Sequence, residues 1–177
     1  MHEPRITIRR VTPGEAAILA DLAARTFRDA FGAANRAVDL ELHIRTHYGA
    51  ARQAAELADP RMTALFVEAD GMIAGYTQVR DGPAPACVSG PRPIELWRFY
   101  VDHVWHGRGI AAPLMDAVKA EARRRGGRTL WLGVWERNPR AIAFYRKQGF
   151  SPVGSQVYVV GTDPQNDLVM SCSLDPR

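Results

Sequence analysis

The stretch 94–150 constrains the fold more tightly than any other part of the chain. It opens on Ile94-Glu95-Leu96-Trp97-Arg98-Phe99-Tyr100-Val101, whose apolar and aromatic content is that of a strand. A segment carrying Gly107 and Gly109 follows, and then 110–125 places Ile110, Leu114, Ala117, Val118 and Ala122 on one helical face. Gly126-Gly127 ends that helix, 129–134 reads as a buried strand, and 139–148 as a second helix closed by Gly149. The polar tripeptide Arg137-Asn138-Pro139 sits between them.

The flanking sequence extends this pattern. Residues 5–11 alternate apolar and polar as a strand does. Thr12-Pro13-Gly14-Glu15 is a capping box with proline at the first helical position. Ile18, Leu19, Leu22, Ala23, Thr26, Phe27, Ala30 and Phe31 then recur at helical spacing up to Gly32. A helical region over 36–58 stops at Asp59-Pro60. Strands at 62–68 and 73–81 flank the hairpin signal Asp70-Gly71. The proline- and glycine-rich run 82–93 is a loop, and strand-like segments at 153–160 and 168–173 close the chain. Strand, helices, three strands, helix, strand, helix and two strands make one mixed α/β domain over 1–177.

Composition narrows the setting. No apolar run approaches the ~20 residues of a membrane span, and the N-terminal MHEPRITIRR lacks the apolar stretch of a leader. Cys87 and Cys172 form no metal or disulfide pattern, which suits a reducing cytoplasm. A formal charge of +4 permits an anionic ligand without requiring one.

The segment His106-Gly107-Arg108-Gly109-Ile110-Ala111-Ala112 joins a strand to a helix. Glycines there let backbone approach a ligand, and the free N–H groups and dipole of the helix start suit a pyrophosphate. Pro113, which has no N–H, fits the first turn. Two glycines by themselves are equally consistent with a plain tight turn.

Three segments in order resemble the GNAT acyltransferase superfamily, over about 94–172. They are Glu95 to Val101 before the glycine loop, Gly107-Arg108-Gly109-Ile110-Ala111 in the loop, and Asn138 through Ala141-Ile142-Ala143-Phe144-Tyr145 to Gly149-Phe150. His106 stands where the superfamily motif has Arg or Gln. A narrower likeness is to bacterial spermidine/spermine N-acetyltransferases of the PaiA type. It rests on 131–136 (WLGVWE), 141–145 and 161–170 (GTDPQNDLVM), with Trp97 where such proteins can carry a further carboxylate.

The resemblance implies a mostly antiparallel sheet, splayed between strands 94–101 and 129–134, with helices on both faces. It implies transfer of an acetyl group from acetyl-CoA to a small-molecule primary amine, with polyamines first in line and no metal. Backbone groups of Phe99, Tyr100 and Val101 would pair with the pantetheine arm. One N–H there would steady the thioester oxygen, an effect typically worth ~3–4 kcal/mol of barrier. His106 through Ala112 would hold the pyrophosphate, and Asn138 the arm near the splay. Tyr145 would border the same arm and protonate the leaving thiolate; alternatively its ring fills the helix–sheet seam. An alkylammonium of pKa ~10 must lose a proton before attack. Glu95, placed by strand alternation on one face with Trp97, Phe99 and Val101, is the candidate base; alternatively it pairs with an arginine.

Other signals carry less. His43/His47 and His103/His106 are spaced like metal ligands but lack a third partner in sequence. Arg123-Arg124-Arg125 and Arg128 read as solvated cations at a helix C-terminus, as a contact for the ribose phosphate, or as a nucleic-acid patch. A nucleic-acid-binding module and a non-catalytic acyl-CoA sensor are therefore the competing functions; basicity is only compositional, and Tyr145 argues for turnover. Phe27 and Phe31 are core residues of a helix that borders the acceptor pocket. Oligomeric state stays open, a homodimer included.

Overall fold

The computed structural model describes residues 4–175. The outermost residues of the expected 1–177 domain, including 1–3 of the segment read as lacking a leader, lie outside the described residues. Seven strands form one sheet in the order β1-β2-β3-β4-β5-β7-β6. They are β1 (Ile6–Arg10), β2 (Met62–Ala69), β3 (Met72–Asp81), β4 (Pro93–Val101), β5 (Thr129–Trp135), β6 (Ser151–Val160) and β7 (Asp163–Ser173). Every neighbouring pair is antiparallel except β4–β5. The helices are α1 (Ala16–Phe31), α2 (Ala37–His47), α3 (Ala50–Ala58), α4 (Ala111–Arg124) and α5 (Pro139–Lys147).

Strand alternation sorts side chains into two cores. Leu96, Leu130, Leu132, Val134 and Met170 meet Met115, Val118 and Ala122 of α4 and Tyr145 of α5. On the other face Ala64, Phe66, Tyr76 and Val160 meet Leu19, Leu22, Ala23 and Phe27 of α1 and Leu40 and Ile44 of α2. The capping box forms: the Glu15 carboxylate accepts from the Thr12 N–H at 2.8 Å, after which α1 begins at Ala16.

Three local expectations change. The helical region 36–58 is two helices, broken at Tyr48-Gly49, where the Tyr48 ring turns inward and is buried against Phe27. β7 begins at Asp163 and not at 168, because Pro164, Gln165 and Asn166 pair with Val159, Tyr158 and Val157 across a tight hairpin. A backbone ladder needs no apolar alternation, so the sequence pattern could not show it. Likewise β6 starts at Ser151, two residues early.

The third change reaches the site. Gln78 pairs with Arg98 but Val79 pairs with Leu96, so Trp97 is a bulge in β4. Beyond it the alternation is out of step. Leu96 and Phe99 point to the α4 side, while the Arg98 and Tyr100 side chains pack on the α1–α3 side.

Candidate active site

β4 and β5 are paired only over Pro93–Glu95 and Thr129–Trp131, yet β4 runs on to Val101 and β5 to Trp135. Past Glu95 the two strands separate, and the opening is a cleft of about 620 Å³. Its walls are the end of β4, the end of β5, α1, α5 and the β6–β7 hairpin.

At one end of the cleft stands the glycine loop. Gly107 and Gly109 have φ of 76° and 75°, the left-handed region that glycine reaches without strain. A side chain built at either position would meet no atom within 4 Å, so their outer surface is open to a ligand. Ile110 is buried in the core and offers only its backbone, at the start of α4. The residues present thus make an open anion cradle facing a helix N-terminus, which fits a pyrophosphate.

The structure occupies both nitrogens of His106. Nε2 lies 2.8 Å from the Val101 carbonyl and Nδ1 lies 3.0 Å from Arg140 Nη1. Carbonyls accept and guanidinium groups donate, so one neutral tautomer, protonated on Nε2, satisfies both contacts. His106 therefore has no free donor for a phosphate. It holds Arg140 beside the loop instead, a residue the sequence reading passed over.

Asn138 caps α5 by accepting from the Ala141 N–H at 3.1 Å through Oδ1, which leaves its amide N–H groups uncommitted. Pro139 follows at the first helical position. Tyr145 lines the cleft with its ring edge-on to Phe99, Phe144 and Phe150. Burial raises its phenol above the usual range, so the hydroxyl is neutral and able to donate. It has no hydrogen-bond partner among the described residues. Phe99, Tyr100, Val101, His106, Ala111, Asn138 and Tyr145 all border one cleft, as their assignment to one ligand requires.

Glu95 does not join them. Its carboxylate is ion-paired to Arg80 Nε and lines a separate, smaller depression with Glu56, Arg52 and Asp59. The bulge at Trp97 is the reason: Glu95 lies before it, on the α3 side, whereas Phe99 and Val101 lie after it, on the α4 side. Glu95 also sits where β4 and β5 are still hydrogen-bonded, short of the opening.

A carboxylate that pattern reading missed does line the cleft. Asp167 of β7 is opposite Trp135 of β5 and is only 8% exposed. Desolvation, with some repulsion from Glu136, pushes its pKa up to about 6. Trp135 and Tyr158 line the same cleft, and the ring of Phe31 of α1 lies 5.8 Å from that of Trp135. The signal was an acid two residues before Val169 on one face of a strand, inside the 161–170 segment.

The remaining candidates resolve into structure. His43 is buried, stacked on Phe27 at 4.7 Å and 3.1 Å from the Tyr158 hydroxyl; burial depresses its pKa to about 4, so it is neutral. His103 meets Asp29 and Asp102 at the cleft rim, where Arg25 binds Asp102 at 2.6 Å. The basic cluster is paired internally: Arg124 to Glu121, Arg125 to Asp81, Arg128 to Asp175, and Arg123 to the Leu174 carbonyl. It lies at the far end of α4, about 20 Å from the glycine loop for a 14-residue helix, which removes the ribose-phosphate reading. With three of its four guanidinium groups paired to carboxylates, it is also a poor nucleic-acid surface. None of the described helices is long and apolar enough to cross a membrane.

Comparison with known proteins bears on the family and the fold. Residues 19–150 match the model of the acetyltransferase (GNAT) family. The chain is 37% identical over 152 residues to a Mycobacterium tuberculosis (strain H37Rv) protein named an uncharacterized N-acetyltransferase, covering 86% of this chain and 93% of that one. A similarly named protein of Lactobacillus delbrueckii subsp. lactis is 30% identical over 149 residues, covering 84% and 86%. In fold, the chain is similar to the PaiA N-acetyltransferase of Thermoplasma acidophilum, solved in complex with coenzyme A. The TM-score is 0.75 at 18% identity, over 96% of this chain and 99% of that one.

Proposed function

Because this chain belongs to the GNAT acetyltransferase family, we propose that it moves an acetyl group from acetyl-CoA to a small-molecule primary amine, with polyamines the first acceptors to test. The observation that carries this reading is the opening of β4 from β5 past Glu95, with the glycine cradle at one end and the Tyr145 hydroxyl in the wall.

Acetyl-CoA supplies an acyl group already activated as a thioester. The protein's own part is to hold and orient it. The backbone of Gly107, Arg108, Gly109 and the first turn of α4 would bind the pyrophosphate, with Arg140 beside them in the place His106 leaves open. The free edge of β4 over Phe99, Tyr100 and Val101 offers backbone groups to an extended arm, as a sheet edge does to an added strand. Asn138 would donate to that arm from the β5 side. Tyr145, neutral and on the same helix two turns further on, would donate a proton to the departing sulfur.

The polyamine assignment rests on the 131–136 and 161–170 segments. A turnover screen with acetyl-CoA against spermidine, spermine, amino acids and peptide N-termini tests both levels. Turnover of a peptide or amino-acid amine alone would replace the polyamine assignment and keep the transferase. Absence of saturable acetyl-CoA binding would remove the transferase.

A further inference from the structure

We propose that Asp167 seats the ammonium group of the acceptor and takes its proton, so that β7 supplies the base that β4 does not. This rests on the acetyltransferase reading, and the experiments below separate the two.

The first support is a census of buried acids. Asp39 is held by Arg36 and Thr162, Glu56 by Arg52 and Arg98, Glu95 by Arg80, Asp102 by Arg25, and Glu121 by Arg10, Arg124 and Thr63. Asp167 alone among the described buried carboxylates has no hydrogen-bond or ion-pair partner, and it faces the cleft. A desolvated carboxylate that no protein group neutralises, with its oxygens still reaching the cleft, leaves a place for a cation to arrive from outside.

The second is the packing over β5. Gly133 has no side chain, so Asp167 Oδ2 and Gln156 Nε2 settle over its backbone; a methyl group there would sit 3.1 Å from the first and 2.6 Å from the second and crowd both. The third is the lining, since the aromatic residues Trp135 and Tyr158 border the same cleft, and aromatic rings attract an ammonium. The fourth is position. Asp167 pairs with Trp135, four residues past the last β4–β5 contact at Trp131, so it stands at the splay itself.

The proton balance closes. An alkylammonium carries three N–H protons and the product amide carries one. Asp167 takes the first and returns it to solvent. The free amine then attacks the thioester carbonyl: the C–N bond forms, the C–S bond breaks, and the second proton ends on the coenzyme thiol, relayed through Tyr145. An acid raised from 3.8 to about 6 is a better acceptor than an ordinary aspartate by roughly 100-fold in equilibrium constant. Glu136 at the end of β5 opposes its ionisation. Tyr158 from β6 is held neutral by burial, and Arg80 and Arg98 from β3 and β4, both felt at Tyr158, are committed to Glu95 and Glu56. Asp29 of α1 and Arg137 and Arg140 at α5 border the same cleft.

Two readouts test the assignment on the full chain. With whichever amine of the screen is turned over, Asp167→Asn should lower kcat/KM by ~10² or more at pH 7, with recovery as pH nears ~10. It should also abolish an acid limb near pH 6 and leave acetyl-CoA affinity unchanged. Independently of turnover, n-butylammonium chloride at pH 8 should raise the melting temperature of the wild type and not of Asp167→Asn or Gly133→Ala. A variant with the wild-type pH–rate profile overturns the assignment, and so does a wild type that n-butylammonium does not stabilise. Failure of acetyl-CoA to bind the wild type, with the ammonium response intact, would instead overturn the transferase reading alone.

Discussion

Asp167→Asn should stabilise the protein at neutral pH, and by an amount the structure fixes. Folding moves the carboxyl from its ordinary pKa of 3.8 to about 6. At ~1.36 kcal/mol per pKa unit, the charged form is penalised by about 3 kcal/mol in the folded state. The sign follows from proton uptake. Between pH 3.8 and 6 the folded chain holds a proton that the unfolded chain has lost, so stability falls as pH rises through that window. Above it the penalty is complete, and below it there is none. Asparagine is never charged but still buries an amide without a protein partner, which returns roughly 1 kcal/mol or more. The expected gain is therefore about 1–2 kcal/mol at pH 7.5, shrinking and reversing towards pH 3.5. For a chain of this size that is a rise in melting temperature of roughly 2–8 °C. Urea unfolding of both proteins at several pH values measures it directly. A gain independent of pH, or a loss at pH 7.5, would refute the idea of an ionised, unpartnered carboxylate at this position.

Three further substitutions probe the site. Gly109→Val places a branched side chain at φ 75° and should weaken acetyl-CoA binding at least ~10-fold by calorimetry; unchanged affinity in a folded variant would sink the loop assignment. Tyr145→Phe should cost ~10- to 10³-fold in turnover with acetyl-CoA affinity nearly kept, because a thiol of pKa ~8.5 already leaves tolerably; weaker binding with full turnover at saturation would make Tyr145 a positioning residue. Glu95→Gln should change kcat/KM by less than ~10-fold and leave the acid limb in place, since its carboxylate belongs to Arg80 outside the cleft. A pH profile that loses that limb would return the base to β4.

Local chemistry made much of this protein legible from sequence. The Thr12–Glu15 box, the helical stripe of α1, the Asp70-Gly71 turn and the glycines at 107 and 109 each depend on neighbours a few residues away, so their spacing carries the information. The three ordered motifs did the same for the family, and with it the splayed sheet. What needed the tertiary structure were the features set by pairing between distant strands. The bulge at Trp97 arises only from the register of β4 on β3, and one unpaired residue was enough to turn Glu95 away from the face that strict alternation gives it. Whether His106 meets a ligand was decided by two groups, the Val101 carbonyl and Arg140, the second 34 positions away. Asp167 looks in sequence like one acid in a polar hairpin. It becomes a buried, unpartnered carboxylate only because β5 and β6 flank it and no arginine reaches it. Burial and solvation are properties of the assembled sheet, and no spacing along the chain encodes them.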